Sequence, residues 1–302
     1  MAIDAMGRVG PIDIGVYVSR SDQTTNAVVM ESDNLVLRPM IPKSLKGRAQ
    51  EILPAVIWEI YVKGVDDIEA LTQLFGNEEN CKVYATTKPW LREAVEKTMD
   101  RDFYRTFAKK TPWTGYLICD KFTGGVLGRG ALGTGYFPAD DVAGSYQAAP
   151  LDEEGGAGPA EVQMEDFVVH PLLPREPLYR ELILTLLTAA AHFIESGIRQ
   201  NEQTVKRIIA IVISPDEKYF EGDAQAELEM RQKCLETIFG LPLGVLGEDD
   251  RRNCSRHVRL VYGCEASEIR ARLAPHVVCD FEEEEGGMEV QPTTVMEEDD
   301  FE

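Results

Sequence analysis

The sequence has no run of about 18 apolar residues, the length a membrane-spanning helix requires, and no cluster of Lys and Arg such as phosphate backbones demand. No nucleic acid and no membrane surface is therefore expected as a partner. Cysteine is sparse: Cys81, Cys119, Cys234, Cys254, Cys264 and Cys279 lie scattered, without the density of a disulfide scaffold, and read as free thiols. The opening stretch, MAIDAMGRVGPIDIG, lacks the basic-then-apolar order of a signal peptide, so a cytoplasmic location is expected. Glycine is missing where it would say most. The turn PREPLY, Pro174 to Tyr179, joins an apolar strand to a long amphipathic helix, the place of a glycine-rich phosphate loop, yet it holds two prolines, two charged residues and a tyrosine.

What is present suits a globular core: 302 residues, of which 44% are hydrophobic. The net charge of -21 is uneven, because residues 275–302 hold eleven Asp or Glu and no Lys or Arg, leaving -10 for the rest. That acidic tail, 275–302, is read as disordered. Residues 1–33 are read as an N-terminal arm with one short strand, and a single domain is expected over 34–274, with insertions near 133–160 and 216–228.

Within it, NLVLRPM gives a strand that Pro39 brings to its end. A helical region from about Arg48 to Val62 is bent or split by Pro54, and DDIEALTQLFG gives a helix capped by an aspartate and stopped by Gly76. Another helix is capped by Thr87, with Leu91, Val95, Met99, Phe103 and Phe107 repeating every four residues. YLICDKFTGGVLGRGAL reads as a hairpin turning at Gly124 and Gly125. From Glu161 the order is strand to His170, turn, helix from Leu178 to about Ser196, strand RIIAIVIS, helix AELEMRQKCLETIFG, strand RHVRLVYG and a short helical end. The fold class is α/β (α+β): a mixed sheet packed with helices in one domain.

Two patterns are set aside. Gly128, Gly130 and Gly133 spell the dinucleotide fingerprint, but they lie in a strand followed by a loop, not between a strand and a helix. Cys254 with His257 and His276 with Cys279 have zinc-like spacing, but arginines crowd the first pair and a strand and helix separate the two, so no metal is expected.

Four segments in order resemble the GNAT superfamily of acyl-CoA-dependent N-acetyltransferases, its RimJ/RimL-type branch in particular: NLVLRPMIPKSLKG, YLICDKFTGGVLGRGAL, FVVHP with RELILTLLTAAAHFI, and CLETIFGLPLG with VRLVYGCEASEIRARL. The resemblance implies a central mixed, mostly antiparallel sheet with helices on both faces, acetyl-CoA as co-substrate, and an amine acceptor, either a protein N-terminus or a small molecule. It also implies a pantetheine arm pairing with the backbone of Phe167, Val168 and Val169, and Glu165 or Asp166 as the base. The family's phosphate loop falls on Pro174, Arg175, Glu176, Pro177, Leu178 and Tyr179, with Arg180 following. Here the sequence departs from the pattern: proline has no N–H to donate, and Tyr179 stands where the family has glycine or alanine. Arg175 and Arg180 are the charges that could stand in, with Glu176 opposing them. The family's tyrosine acid is replaced by Cys234 and Leu235. His170 reads as a solvated end-of-strand residue, and Tyr219 lies in an insertion. The alternative function is a non-catalytic member of the fold that binds a protein partner.

Overall fold

The computed structural model describes residues 11–21, 24–41, 50, 53, 55–78, 80, 89–103, 114–134, 161–169, 175–195, 205–215, 222–247 and 258–282. Among the described residues ten strands form one sheet, in the order β10-β1-β2-β3-β4-β5-β6-β7-β9-β8. They are β1 (Ile12–Ser21), β2 (Thr24–Glu31), β3 (Leu35–Pro39), β4 (Thr114–Asp120), β5 (Val126–Thr134), β6 (Glu161–Val169), β7 (Arg207–Ile213), β8 (Gly244–Leu246), β9 (Arg259–Glu265) and β10 (Val277–Glu282). The pairing is antiparallel except for β1 with β10 and β6 with β7. The helices are α1 (Ala55–Ile57), which continues as a π-helical turn (Trp58–Val62), α2 (Asp67–Gly76), α3 (Arg92–Phe103), α4 (Arg175–Glu195), α5 (Asp223–Phe239) and α6 (Ile269–Leu273).

Alternation along the strands divides the core between two faces. Leu35, Leu37, Tyr116, Ile118, Leu132, Val162 and Met164 face α4, α5 and α6, while Val36, Leu117 and Cys119 face α1, α2 and α3. Helix α4 is buried on every side from Glu181 to Ala191, which explains its near-continuous apolar sequence. Its polar residues are accommodated locally. Thr185 and Thr188 donate to the carbonyls of Glu181 and Leu184. Glu181 accepts from the Ser32 hydroxyl at 2.6 Å, the Asn34 backbone N–H at 2.8 Å and the Asn34 amide at 3.0 Å, tying the β2–β3 turn to α4.

On the other face, Asp66 caps α2 by accepting from the Glu69 N–H. Asp67 forms a buried two-pronged ion pair with Arg38, at 2.6 and 2.8 Å, and also accepts from the Ile41 N–H. Trp90 stacks on Phe75 with centroids 4.4 Å apart, setting the approach to α3. In the β4–β5 turn the Asp120 carboxylate accepts from the Phe122 and Thr123 N–H groups and the Thr123 hydroxyl. Burial pushes its carboxyl up, but these bonds prevail and hold it below the ordinary range. Gly124 has φ 71° there, and a Cβ would sit 3.0 Å from the Ile60 carbonyl, so glycine is required.

Several expectations change. Residues 12–31 form two strands of the central sheet rather than an arm with one short strand. β10 carries the sheet to Glu282, past the boundary expected at residue 274, because an acidic segment can still hydrogen-bond through its backbone, here beside β1. α5 starts at Asp223, inside the segment read as an insertion. Leu91 precedes α3 and is 74% exposed, although Val95 and Met99 from the same stripe are buried. The GxGxxG glycines lie in β5, and a Cβ on Gly130 would meet Leu186 Cδ1 at 3.1 Å, so that glycine serves the packing of α4. No described helix is long and apolar enough to cross a membrane.

Candidate functional site

The sheet opens at one place. β6 and β7 run parallel and pair only from Glu161–Met164 to Arg207–Ala210. Beyond that row Ile211, Val212 and Ile213 stay with β9, and β6 continues to Val169 alongside β5. The two strands splay, and from Glu165 to Val169 the β6 backbone offers its β7 side as an edge that no ladder among the described residues occupies.

A bulge sits at this point. Ala131 pairs with Glu165 and Arg129 with Val168, so Asp166 and Phe167 together oppose the single Gly130. An extra residue bends its strand and re-aims the following ones, which accounts for β6 turning away from β7 here. It also interrupts strict alternation: Glu165 and Asp166 are not simply neighbours in a regular strand. The register pairs position 165 with Ala131. Arg129, on the sheet face away from α4, is buried with its guanidinium 5.9 Å from the Phe75 ring.

α4 and α5 follow the splayed strands on the opposite face. In the first turn of α4, Glu176 and Pro177 are exposed and Leu178 packs half-buried against the core. Arg180 is half-buried, and its charge is felt in two directions. The Cys234 thiol is pushed up to about 11, mostly by burial, with Glu176 adding to the rise and Arg180 and Lys233 opposing it. The His276 imidazole is pulled below its ordinary value by burial and by Arg180.

Tyr179 departs most from a phosphate-loop residue. It is 0% exposed, and its hydroxyl donates to Glu227 Oε1 at 3.0 Å while accepting from the Arg231 guanidinium. Arg231 also donates to Glu227 at 2.6 Å and lies 4.6 Å from the centre of the Tyr179 ring. Glu227 and Arg231 are 5% and 7% exposed. The E-x3-R spacing within ELEMR shows an ion pair at helical distance, but nothing in the sequence indicates that it is buried against Tyr179.

The other candidates are dispersed. Cys234 and Leu235 are both on α5 and turned into the core, so the Cys234 thiol is not placed as an acid. His170, Tyr219, Cys254 and His257 lie outside the described residues. Among the described residues no group of three or more potential metal ligands comes together.

No protein-family model matches the chain, and no curated protein does. The solved structures similar to it are GNAT-family acetyltransferases. One, an acetyltransferase from Bacillus anthracis, is 11% identical over 79% of this chain and 98% of its own, with a TM-score of 0.45. Spermidine N-acetyltransferase from Vibrio cholerae, in complex with CoA and spermine, is 10% identical over 78% and 98%, at 0.44. RimL, a ribosomal L7/L12 alpha-N-protein acetyltransferase, is 12% identical over 82% and 99%, at 0.40. Likeness at this level says nothing of substrate or activity, which must be argued from the strands and side chains of this chain.

Proposed function

We propose that the protein is a cytoplasmic acyl-CoA-dependent N-acetyltransferase that acts on an amine, either a protein N-terminus or a small molecule. The observation that carries this reading is the splay of β6 from β7 with the bulge at Asp166 and Phe167. An open strand edge takes an extended, amide-bearing chain as an added strand, and a pantetheine arm has two amides of that kind. The backbone of Phe167, Val168 and Val169 forms the edge, and a free N–H beside the bulge would stabilise charge developing on a carbonyl oxygen.

The acetyl donor would supply a thioester: the acceptor nitrogen forms a bond to its carbonyl carbon, the carbon–sulfur bond breaks, and the sulfur leaves with a proton. Glu165 or Asp166 would remove the proton from the attacking amine. Phosphates would lie toward the first turn of α4, where the N–H groups of Glu176 and Leu178 remain and Pro177 has none. Arg175 and Arg180 would add charge. Tyr179 is the poor fit, since its ring faces the α4–α5 seam and not an open loop. That observation favours a second reading, a non-catalytic fold member that binds a protein partner. Incubation with millimolar acetyl-CoA and a mixture of peptides and polyamines, read by mass spectrometry, should yield an acetylated amine. Neither product nor calorimetric binding at that concentration would leave the second reading standing.

A further inference from the structure

The bridge between α4 and α5 lies where the two helices flank the splay. Each helix follows one of the splayed strands, α4 after β6 and α5 after β7, and both pack on the same sheet face. Tyr179 is the fifth residue of α4, and Glu227 and Arg231 are the fifth and ninth of α5. A chain-like ligand laid along the open β6 edge and reaching toward the start of α4 has to pass between these two helix beginnings. The fully buried Tyr179 ring lies between them, bonded to Glu227 and Arg231.

The hydrogen-bond arrangement makes the ring removable. Glu227 and Arg231 pair with each other on their own helix at 2.6 Å, so withdrawing Tyr179 leaves no buried charge without its counter-charge. The contacts given up include the hydroxyl's bond to Glu227, its bond from Arg231, and the stacking of the guanidinium on the ring. These terms are set against a ligand that would bury its own arm in the same seam. We propose that the Tyr179 ring, held by Glu227 and Arg231, is a plug in the donor cleft, and that this residue determines whether a pantetheine-bearing donor can enter.

The inference rests on the acyl-CoA reading above, and it is tested on the full chain by calorimetric titration with coenzyme A of the native protein, Tyr179→Ala and Tyr179→Phe. Removing the ring should tighten binding by about tenfold or more, while Tyr179→Phe, which keeps the ring and loses only the hydroxyl, should fall between native and Tyr179→Ala. Circular-dichroism melts show whether each variant is folded. If Tyr179→Ala is not, Tyr179→Leu keeps an apolar side chain in the seam and should still bind more tightly than native. Native and ring-less proteins that bind equally well, or a ring-less protein that binds more weakly, would overturn the plug and leave the acyl-CoA reading intact. Absence of binding by every folded variant at millimolar coenzyme overturns the acyl-CoA reading instead.

Discussion

Two buried arginine–carboxylate pairs sit on opposite faces of the sheet and are built differently. Arg38 on β3 meets Asp67 on α2 from 29 residues away, through two guanidinium nitrogens and both carboxylate oxygens, and Asp67 also receives the Ile41 N–H. That pair joins a strand, a helix and the chain between them. Arg231 and Glu227 are four residues apart on one helix, and a single carboxylate oxygen takes the bonds from both Arg231 and Tyr179. It reaches a second element through the tyrosine. The first arrangement fixes one geometry, whereas the second holds together with or without its neighbour, which is what a movable contact requires.

The largest expected effect separates these two designs. Asp67→Ala leaves Arg38 buried without its counter-charge, with the Pro39 carbonyl still accepting from it, and should cost about 3–5 kcal/mol by urea denaturation. Glu227→Ala leaves Arg231 on the Tyr179 ring and hydroxyl and should cost less, about 1–3 kcal/mol. Equal losses would erase the distinction.

A middle-sized effect tests the sheet edge. A chain ending at Glu282 keeps β10, whereas one ending at His276 loses the six residue pairs with β1 and the burial of Val277. The shorter chain should lose roughly 2–3 kcal/mol, since burying one Val side chain alone contributes about 1.5–3. The chain ending at Glu282 should melt within a degree or two of the full protein, because so acidic a sequence has few residues to add to a core. A shorter chain as stable as the longer one would show that β10 adds nothing.

The sequence made some of this legible and hid the rest for physical reasons. Strong periodicity and turn chemistry marked β3, the β4–β5 hairpin and α4, because burial on one face or all round leaves its imprint on side-chain type. β10 escaped because its acidic residues resemble a solvated tail, while a strand at a sheet edge needs only its backbone. The start of α5 escaped because DAQAELEMR has few apolar residues to mark a stripe. At the site, the two-residue bulge on β6 depends on its register with β5, which one strand's sequence cannot carry. Tyr179 stands out in a turn otherwise placed for glycine, but its partners Glu227 and Arg231 lie about 50 residues further along and become visible only once α4 and α5 are packed.

The smallest expected effect concerns His276, just before β10. The His276 carbonyl accepts the Ile12 N–H at 2.9 Å, beginning the β1–β10 pairing, and its half-buried ring lies within the field of Arg180, next to Tyr179 in α4. Burial first and Arg180 second lower the imidazole's affinity for a proton below that of the unfolded chain. The unfolded state therefore binds more protons in this range, and stability rises with pH. The contribution is fully present above the ordinary value of 6.5 and is lost as pH falls through the folded value below it. Melting curves of native protein and His276→Gln between pH 7.5 and 5 should show the native chain losing more, by on the order of a degree for so exposed a group. Other titrating groups contribute to both proteins and cancel in the difference. Parallel pH profiles, or a variant that is the more acid-sensitive of the two, would remove Arg180 from the β10 edge and restrict its charge to the α4–α5 side.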